Sequence, residues 1–360
     1  MRAMWRWSPR RWTALRRGVQ YAALLAFVTL FVWSRRGGWP AVWVNFPMRL
    51  DPLAMLAHAL ASRTLLAGSA VALLTVLLTL AFGRAWCGWL CPLGTLLDLF
   101  PSRRRDARRP VPEAWRGAKY ALLLTLLWAA LLGNLTLMVL DPLTILFRSL
   151  SAAVWPAVDQ VVTGAERVLY QVPFLQGAVA ALDGWARPKV LPPEPAFYRA
   201  AWLYGAVLVG ILALNWLAPR FWCRTLCPLG ALLALLARVG LVRREVNDRC
   251  IQCDVCARAC PTGTIRADQG YASDPAECTT CLDCVAVCPV EAIHFPARLG
   301  LAAAQPYDPG RRQALGTLAV AAAGVGLLRS DLAARRDHPH LIRPPGAREN
   351  GLLDKCIRCG

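Results

Sequence analysis

Two stretches of this chain repeat one cysteine pattern. Residues 250–261 read CIQCDVCARACP and residues 278–289 read CTTCLDCVAVCP, so both fit C-x2-C-x2-C-x3-C-P. Three thiolates at that spacing wrap one corner of an iron–sulfur cubane, and the fourth reaches across to a neighbouring cluster. The expected ligand sets are Cys250, Cys253, Cys256 and Cys288 for one 4Fe–4S cluster, and Cys278, Cys281, Cys284 and Cys260 for the other. Zinc takes four ligands per site, usually with longer spacers, and would leave two tandem Cys-Pro endings unexplained. Disulfides do not suit a reducing compartment. Dense thiolate ligation of this kind carries electrons.

A second pattern is rarer. Residues 86–94 read WCGWLCPLG and residues 222–230 read WCRTLCPLG, each at the end of an apolar run. Residues four apart share a helix face, and Pro92 and Pro228 disfavour helical geometry at the cysteine before them. Each pair therefore belongs at a helix end. A pseudo-twofold arrangement would bring Cys87, Cys91, Cys223 and Cys227 face to face as one shared redox or metal site. The alternative is four small apolar packing residues.

The pairs belong to a larger repeat. Residues 50–56 are LDPLAML and residues 140–146 are LDPLTIL, and each is followed by an apolar run and then a cysteine pair. The second copy carries about 46 more residues between its Asp and its first cysteine. Asp51 and Asp141 read as N-caps ahead of a proline in the first helical turn. A sharper reading makes Asp51, Asp141 or nearby His58 a proton acceptor at the exoplasmic surface.

The elements that must position these residues are apolar. The chain has 360 residues, 56% of them hydrophobic and 18% charged, and a mean hydropathy of +0.39. Runs at 19–33, 64–82, 120–139 and 201–217 contain no Asp, Glu, Lys, Arg or His, and each approaches the ~20 residues that cross a hydrocarbon core. Spans are expected at about 18–34, 63–83, 119–140 and 200–219. The net charge of +19 could suggest nucleic acid, but its distribution argues otherwise. Arginine is dense before the first span, between the second and third, and after the fourth, which is the positive-inside pattern. That places the N-terminus, the 84–119 loop and the segment after 219 in the cytoplasm. The first run lacks an Ala-x-Ala cleavage site and reads as an uncleaved span. His58, His294, His338 and His340 all lie outside the spans, which excludes a bilayer haem held by imidazoles. The absence of ionisable groups from the runs argues against an ion pump.

Residues 310–328, GRRQALGTLAVAAAGVGLL, pair two arginines with a weakly apolar run, as in a twin-arginine export signal. The segment reads as an uncleaved anchor, with a buried hairpin helix as the alternative. Beyond it Cys356 and Cys359 begin a ferredoxin run that stops at Gly360. Two thiolates cannot hold a cubane, so the chain reads as a fragment whose natural product continues.

Tandem CGWLCPLG and CRTLCPLG pairs, each ending a span and followed by a two-cluster ferredoxin segment, resemble the NapH/NosR-type membrane polyferredoxins over residues 18 to about 296. The tail resembles the exported NapG-type ferredoxin partner, so the chain reads as a fusion of the two. The resemblance implies a quinol dehydrogenase component of the bacterial inner membrane, with the quinone pool and membrane lipid as partners. It delivers electrons to an exoplasmic reductase or cytochrome, and nucleic acid plays no part. At most such a chain is a quinol dehydrogenase subunit, and no catalytic residue is assigned. The expected fold is mainly α. Residues 1–240 form a membrane domain of four main transmembrane helices in two pseudo-repeats. Residues 241–300 form an α+β two-cluster ferredoxin domain, residues 301–330 a short fifth span, and residues 331–360 the start of a second ferredoxin domain with further clusters beyond. The alternatives are an assembly factor that reduces a metal for another enzyme and a redox-sensing membrane regulator.

Overall fold

Both copies of the repeat fold as the same run of elements. In the first, α1 (Pro9–Ser34) leads to α2 (Pro52–Ser62), α3 (Ala70–Phe82), a turn of π-helix at Trp86–Leu90, and α4 (Pro92–Leu99). In the second, α5 (Glu113–Leu131) leads to α6 (Pro142–Ser149), α7 (Ala201–Leu214), a helical turn at Phe221–Thr225, and α8 (Pro228–Ala237). The extra residues of the second copy include two more helices, Trp155–Leu169 and Gln176–Ala186. This computed structural model describes residues 9–34, 46–65, 68–100, 111, 113–186, 201–297 and 311–329. The expected third ferredoxin motif, with Cys356 and Cys359, lies outside the described residues.

The motif residues explain the helix starts. Asp51 accepts from the amides of Leu53 (2.8 Å) and Ala54 (3.2 Å), and Asp141 from those of Leu143 (2.9 Å) and Thr144 (3.0 Å). Proline follows each Asp in the first helical turn, where its missing N–H costs nothing. Both carboxylates are buried, at 1% and 0% exposure. The caps start helices packed inside the bundle, so the expected proton acceptors are buried groups.

The halves cross over one another. α2 of the first repeat packs on α5 and α8 of the second, and α6 of the second packs on α4 of the first. Phe147 on α6 also meets Phe31 on α1 edge-to-face, with centroids 5.4 Å apart. Leu53, Leu93, Leu143 and Leu229, the leucines of the two Asp-Pro-Leu and two Cys-Pro-Leu segments, share one core. Burying each such side chain contributes about 2 kcal/mol.

The helices are shorter than the expected spans. Among the described residues one helical stretch, Arg11–Ser34, is long and apolar enough to cross a membrane. α3 and α7 have 13 and 14 residues, about 20 Å each at the rise of an α-helix. α3 starts late because the chain turns at Gly68, whose φ is +93°, and α5 is followed by a turn at Gly133, whose φ is +78°. The mainly helical class is as expected, but the helix lengths do not carry a count of four crossings. The expected fifth span forms α9 (Arg311–Arg329), which lies along α5.

The ferredoxin segment is two small antiparallel pairs, β1 (Glu245–Val246) with β4 (Ile293–His294) and β2 (Ile265–Arg266) with β3 (Ala272–Ser273). Short helices at Val255–Ala259 and Asp283–Ala286 accompany them. Glu277 fixes this segment to the bundle. Its carboxylate bonds Arg84, just beyond α3, at 3.2 Å, and also Lys119 on α5. Burial opposes ionisation of Glu277, yet the two cations hold it below the usual carboxylate range. A lowered folded-state value means that the stabilisation is present above the unfolded carboxylate value and is lost as pH falls through the folded one. Glu277→Ala leaves two buried cations unpaired and is expected to cost about 3–5 kcal/mol. Chemical denaturation should show that loss, and limited proteolysis should show the ferredoxin segment released; an unchanged denaturation midpoint would contradict the assignment.

Candidate functional site

The two ferredoxin loops share a backbone pattern. Gln252 and Asp254 flank Cys253 with φ of 56° and 61°, and Thr280 and Leu282 flank Cys281 with φ of 50° and 63°. Each such non-glycine residue costs about 1–2 kcal/mol, and such strain persists where its surroundings over-determine it. In the first loop the curl brings the cysteines to one pocket, with Cys253 at its exposed rim. Cys250, Cys253, Cys256 and Cys288 line that pocket. Arg244 points a guanidinium nitrogen at Cys256 Sγ (3.8 Å), and the Ala292 amide donates to Cys288 Sγ (3.3 Å).

Cys260 leaves its own run and joins the other set. Cys260, Cys278, Cys281 and Cys284 lie close enough for a charge on one to disfavour charge on its neighbours. Burial pushes the Cys278 thiol up to about 11 and the Cys284 thiol to about 12. Nearby, Arg224 is buried at 2% exposure, and none of its three guanidinium nitrogens has a hydrogen-bond partner. Burial, then Arg116, pushes it down to about 10, while Cys260 favours its charge. A cation without a hydrogen-bond partner near Cys260 fits an anionic thiolate-bound group. Among the described residues no three His, Cys, Asp or Glu side chains are gathered tightly enough to hold a single ion. A cubane spaces its sulfurs more widely than one ion does, so the cavity and the curled loops fit a cluster better.

The Cys-x3-Cys-Pro-Leu-Gly pairs also adopt one geometry twice. The Cys91 amide donates to Trp86 O (2.9 Å) and the Cys227 amide to Trp222 O (3.0 Å), each closing a five-residue turn. Cys91 and Cys227 are extended, with ψ of 117° and 111°, and cap α4 and α8. The proline after each imposes that conformation. A Cβ at Gly94 would stand 3.0 Å from Cys87 O; one at Gly230 would stand 2.8 Å from Arg84 and 3.3 Å from Cys227 Sγ. Glycine lets the turn close tightly on the helix. The structure brings the four thiols together, since Cys87 and Cys223 both act electrostatically on Cys91 and Cys227. Burial pushes Cys223 up to about 11 and Cys91 and Cys227 further. Binding a metal there would release protons.

Two arginines complete this site, and the positive-inside reading had counted them only as loop charge. Arg84 and Arg220 each stand three residues before the first cysteine of a pair, and both are 1% exposed. Arg220 forks onto Asp98 (2.9 and 2.6 Å) and donates to Cys87 O (3.1 Å). Aligning RAWCGWLCPLG with RFWCRTLCPLG carries the signal.

The four-cysteine site adjoins the second ferredoxin loop. Trp89 Nε1 donates to Thr280 O (3.0 Å), and Thr280 Oγ1 donates to Phe82 O (2.8 Å). Gly88 faces the Thr279 carbonyl with no room for a side chain. Arg220 is close enough to feel both Cys223 and Cys281.

A family model described as a 4Fe-4S binding domain matches residues 64–110 and again 200–247, one match on each cysteine pair. A 4Fe-4S dicluster domain matches residues 249–292. The chain is 29% identical to the ferredoxin-type protein NapH of Escherichia coli (strain K12), over 78% of its length and 88% of the relative's. It is 27% identical to the methylamine utilization ferredoxin-type protein MauN of Paracoccus denitrificans, over 71% of the chain and 77% of the relative. It also matches the regulatory protein NosR of Pseudomonas aeruginosa, at 29% identity over 57% of the chain but only 24% of that relative. The chain thus resembles the NapH/NosR-type polyferredoxins. With its 4Fe-4S domains it is an iron–sulfur electron-transfer protein. No solved structure gives a significant match.

Close approach makes Gly88 a sensitive position in this polyferredoxin. Gly88→Ala should push the 278–281 loop away and lower the thermal unfolding temperature by several degrees, since overpacking typically costs about 1–3 kcal/mol. It should also shift the EPR spectrum of the nearer cluster. Unchanged melting and spectra would show that the loop does not sit on the Trp86–Leu90 turn.

Proposed function

We propose that this chain takes electrons from quinol in the bacterial inner membrane and passes them through three iron–sulfur centres toward an exoplasmic reductase or cytochrome. Cys87, Cys91, Cys223 and Cys227 hold the first centre, a 4Fe–4S cluster shared by the two repeats. Cys260, Cys278, Cys281 and Cys284 hold the second, and Cys250, Cys253, Cys256 and Cys288 the third. When bound, the clusters supply one-electron carriers. The observation that carries the reading is the direct contact of the Cys87–Cys91 turn with the Thr279–Thr280 loop, together with the 4Fe-4S family model on both cysteine pairs. Quinol as donor is what the resemblance to the NapH type implies.

The protein's own groups do three things here. The paired turns hold four thiols in one buried place, and the two arginines beside them, Arg84 and Arg220, offset anionic charge. The caps at Cys91 and Cys227 fix two of the sulfurs on rigid helices. The packed Leu53, Leu93, Leu143 and Leu229 core excludes water between the repeats.

The arrangement in the membrane belongs to the same proposal. The domain limits are those set out above, and four crossings at about 18–34, 63–83, 119–140 and 200–219 leave the N-terminus and ferredoxin segment cytoplasmic. The paired-arginine helix carries the tail outward. The alternation of arginine-rich and arginine-poor loops supports this. Reporter fusions near residue 300 and beyond residue 335 should report opposite sides, and the same side from both would remove the exported tail.

Reconstituted protein tests the electron path. Menaquinol or ubiquinol should reduce its clusters. Replacing Cys91 and Cys227 by Ser should abolish that reduction while the EPR signals of the Cys250–Cys288 clusters persist. Survival of quinol-driven reduction in the double variant would make the pairs structural. No reduction of the unaltered protein by either quinol would favour the assembly-factor reading instead.

A further inference from the structure

The two buried caps have more in common than position. Asp51 and Asp141 occupy corresponding places in the two repeats, at the starts of α2 and α6, and the structure puts their carboxyl groups within hydrogen-bonding reach of each other. Each spends one oxygen on its own helix: Asp51 Oδ1 and Asp141 Oδ2 accept the capping amides. Asp141 Oδ1 is left buried with no donor. Two carboxylates supply no hydrogen between them, so the contact is a hydrogen bond only when the pair carries a proton. A fully buried acceptor without a donor is costly, and one shared proton removes that cost.

No cation nearby does the same work. The ionisable groups on the helices around the pair are Arg49, His58 and Arg148. Arg148 bonds the Tyr204 hydroxyl (3.1 Å), and the Arg49 guanidinium lies against Gly68. Burial disfavours the charged form of His58. On α5, Arg116 bonds Gly263 O and Lys119 bonds Glu277, at the end that meets the ferredoxin segment. On α4, Asp98 is held by Arg220, and α3 and α8 carry no ionisable residue. Like charges in contact at low dielectric cannot both persist, so one carboxyl stays protonated well above its usual range. The two titration steps belong to the pair rather than to either residue.

A histidine lies farther along the same helix. His58 stands two helical turns beyond Asp51 on α2, on nearly the same face. Its Nε2 is buried without a partner, while its Nδ1 meets Ser62 Oγ (3.2 Å), which in turn meets the exposed Thr64 Oγ1 (2.9 Å).

We propose that Asp51 and Asp141 form one proton-binding site between the repeats, holding a single shared proton at rest and accepting the hydroxyl protons of quinol one at a time. The second part rests on the quinol reading given above. Oxidation of a quinol to a quinone releases two electrons and two protons. Iron–sulfur centres, when bound, would supply the oxidant and accept the electrons one at a time. At each step a quinol O–H bond breaks and a carboxyl O–H bond forms, which neutralises the singly charged pair. That proton then leaves before the next arrives.

Infrared spectroscopy of the full chain in lipid tests the site itself. At neutral pH the protein should show a protonated-carboxyl C=O band that moves on 13C-aspartate labelling and disappears in both Asp51→Asn and Asp141→Asn. An asparagine amide donates to the remaining carboxylate, so these variants keep the contact and the cap and should load clusters normally. Absence of the labelled band in unaltered protein, or its survival in both variants, would overturn the shared proton. Quinol-driven cluster reduction tests the role, with dithionite reduction as the control. Loss of a positioned proton acceptor should slow the quinol reaction about a hundredfold or more and leave the dithionite reaction unchanged. Unchanged quinol rates in Asp141→Asn would overturn the role. If quinol fails to reduce even the unaltered protein, the donor reading falls and takes the role with it, while the infrared band still decides the proton site.

Discussion

A single buried carboxylate determines how the two halves of this molecule meet the third part. Glu277 lies in the loop before Cys278 and is clamped by Arg84 from the first repeat and Lys119 from the second. A lone carboxylate there would be expelled or neutralised, and either cation alone would be worse placed. The clamp therefore holds both repeats and the ferredoxin segment in one register. Arg16 of α1 adds a second tie through Asp283 at 2.8 Å. Everything that could pass an electron between the bundle and the ferredoxin depends on that register. Trp89 reaches Thr280 only because the loop is pinned three residues earlier.

The repeated motifs then divide the work by residue type. In each Cys-Pro-Leu-Gly the cysteine caps, the proline starts the helix, the leucine enters the core and the glycine lets the turn close. In each Asp-Pro-Leu the aspartate takes the capping role. Because α2 packs on the second repeat and α6 on the first, caps of like kind meet across the molecule: thiols with thiols, carboxylates with carboxylates. Crossing of the halves turns a sequence repeat into two paired sites.

Much of this was legible in the residues. Cysteine spacing carries the cluster chemistry, since thiolate ligands must sit at fixed intervals to wrap a cubane, and Pro92 and Pro228 mark the helix ends. The Asp-Pro signature identifies two caps. Other features were hidden for physical reasons. Apolarity over 64–82 says how oily a run is, but not that Gly68 turns it and shortens α3 to thirteen residues. Arg84, Arg220 and Arg224 read as loop charge because their burial depends on partners far away in sequence: Glu277, Asp98 and the thiols near Cys260. The depth of Asp51 and Asp141 likewise follows from the crossing of the repeats, which no local pattern encodes.

Iron content tests the account most directly. Three four-iron centres predict about twelve iron and about twelve acid-labile sulfide per chain in anaerobically purified, fully loaded protein, with Mössbauer spectra assigning all of it to cubane-type clusters. About eight of each, with no third cubane component, would mean that Cys87, Cys91, Cys223 and Cys227 hold no cluster, and would contradict the shared centre on which the electron path depends.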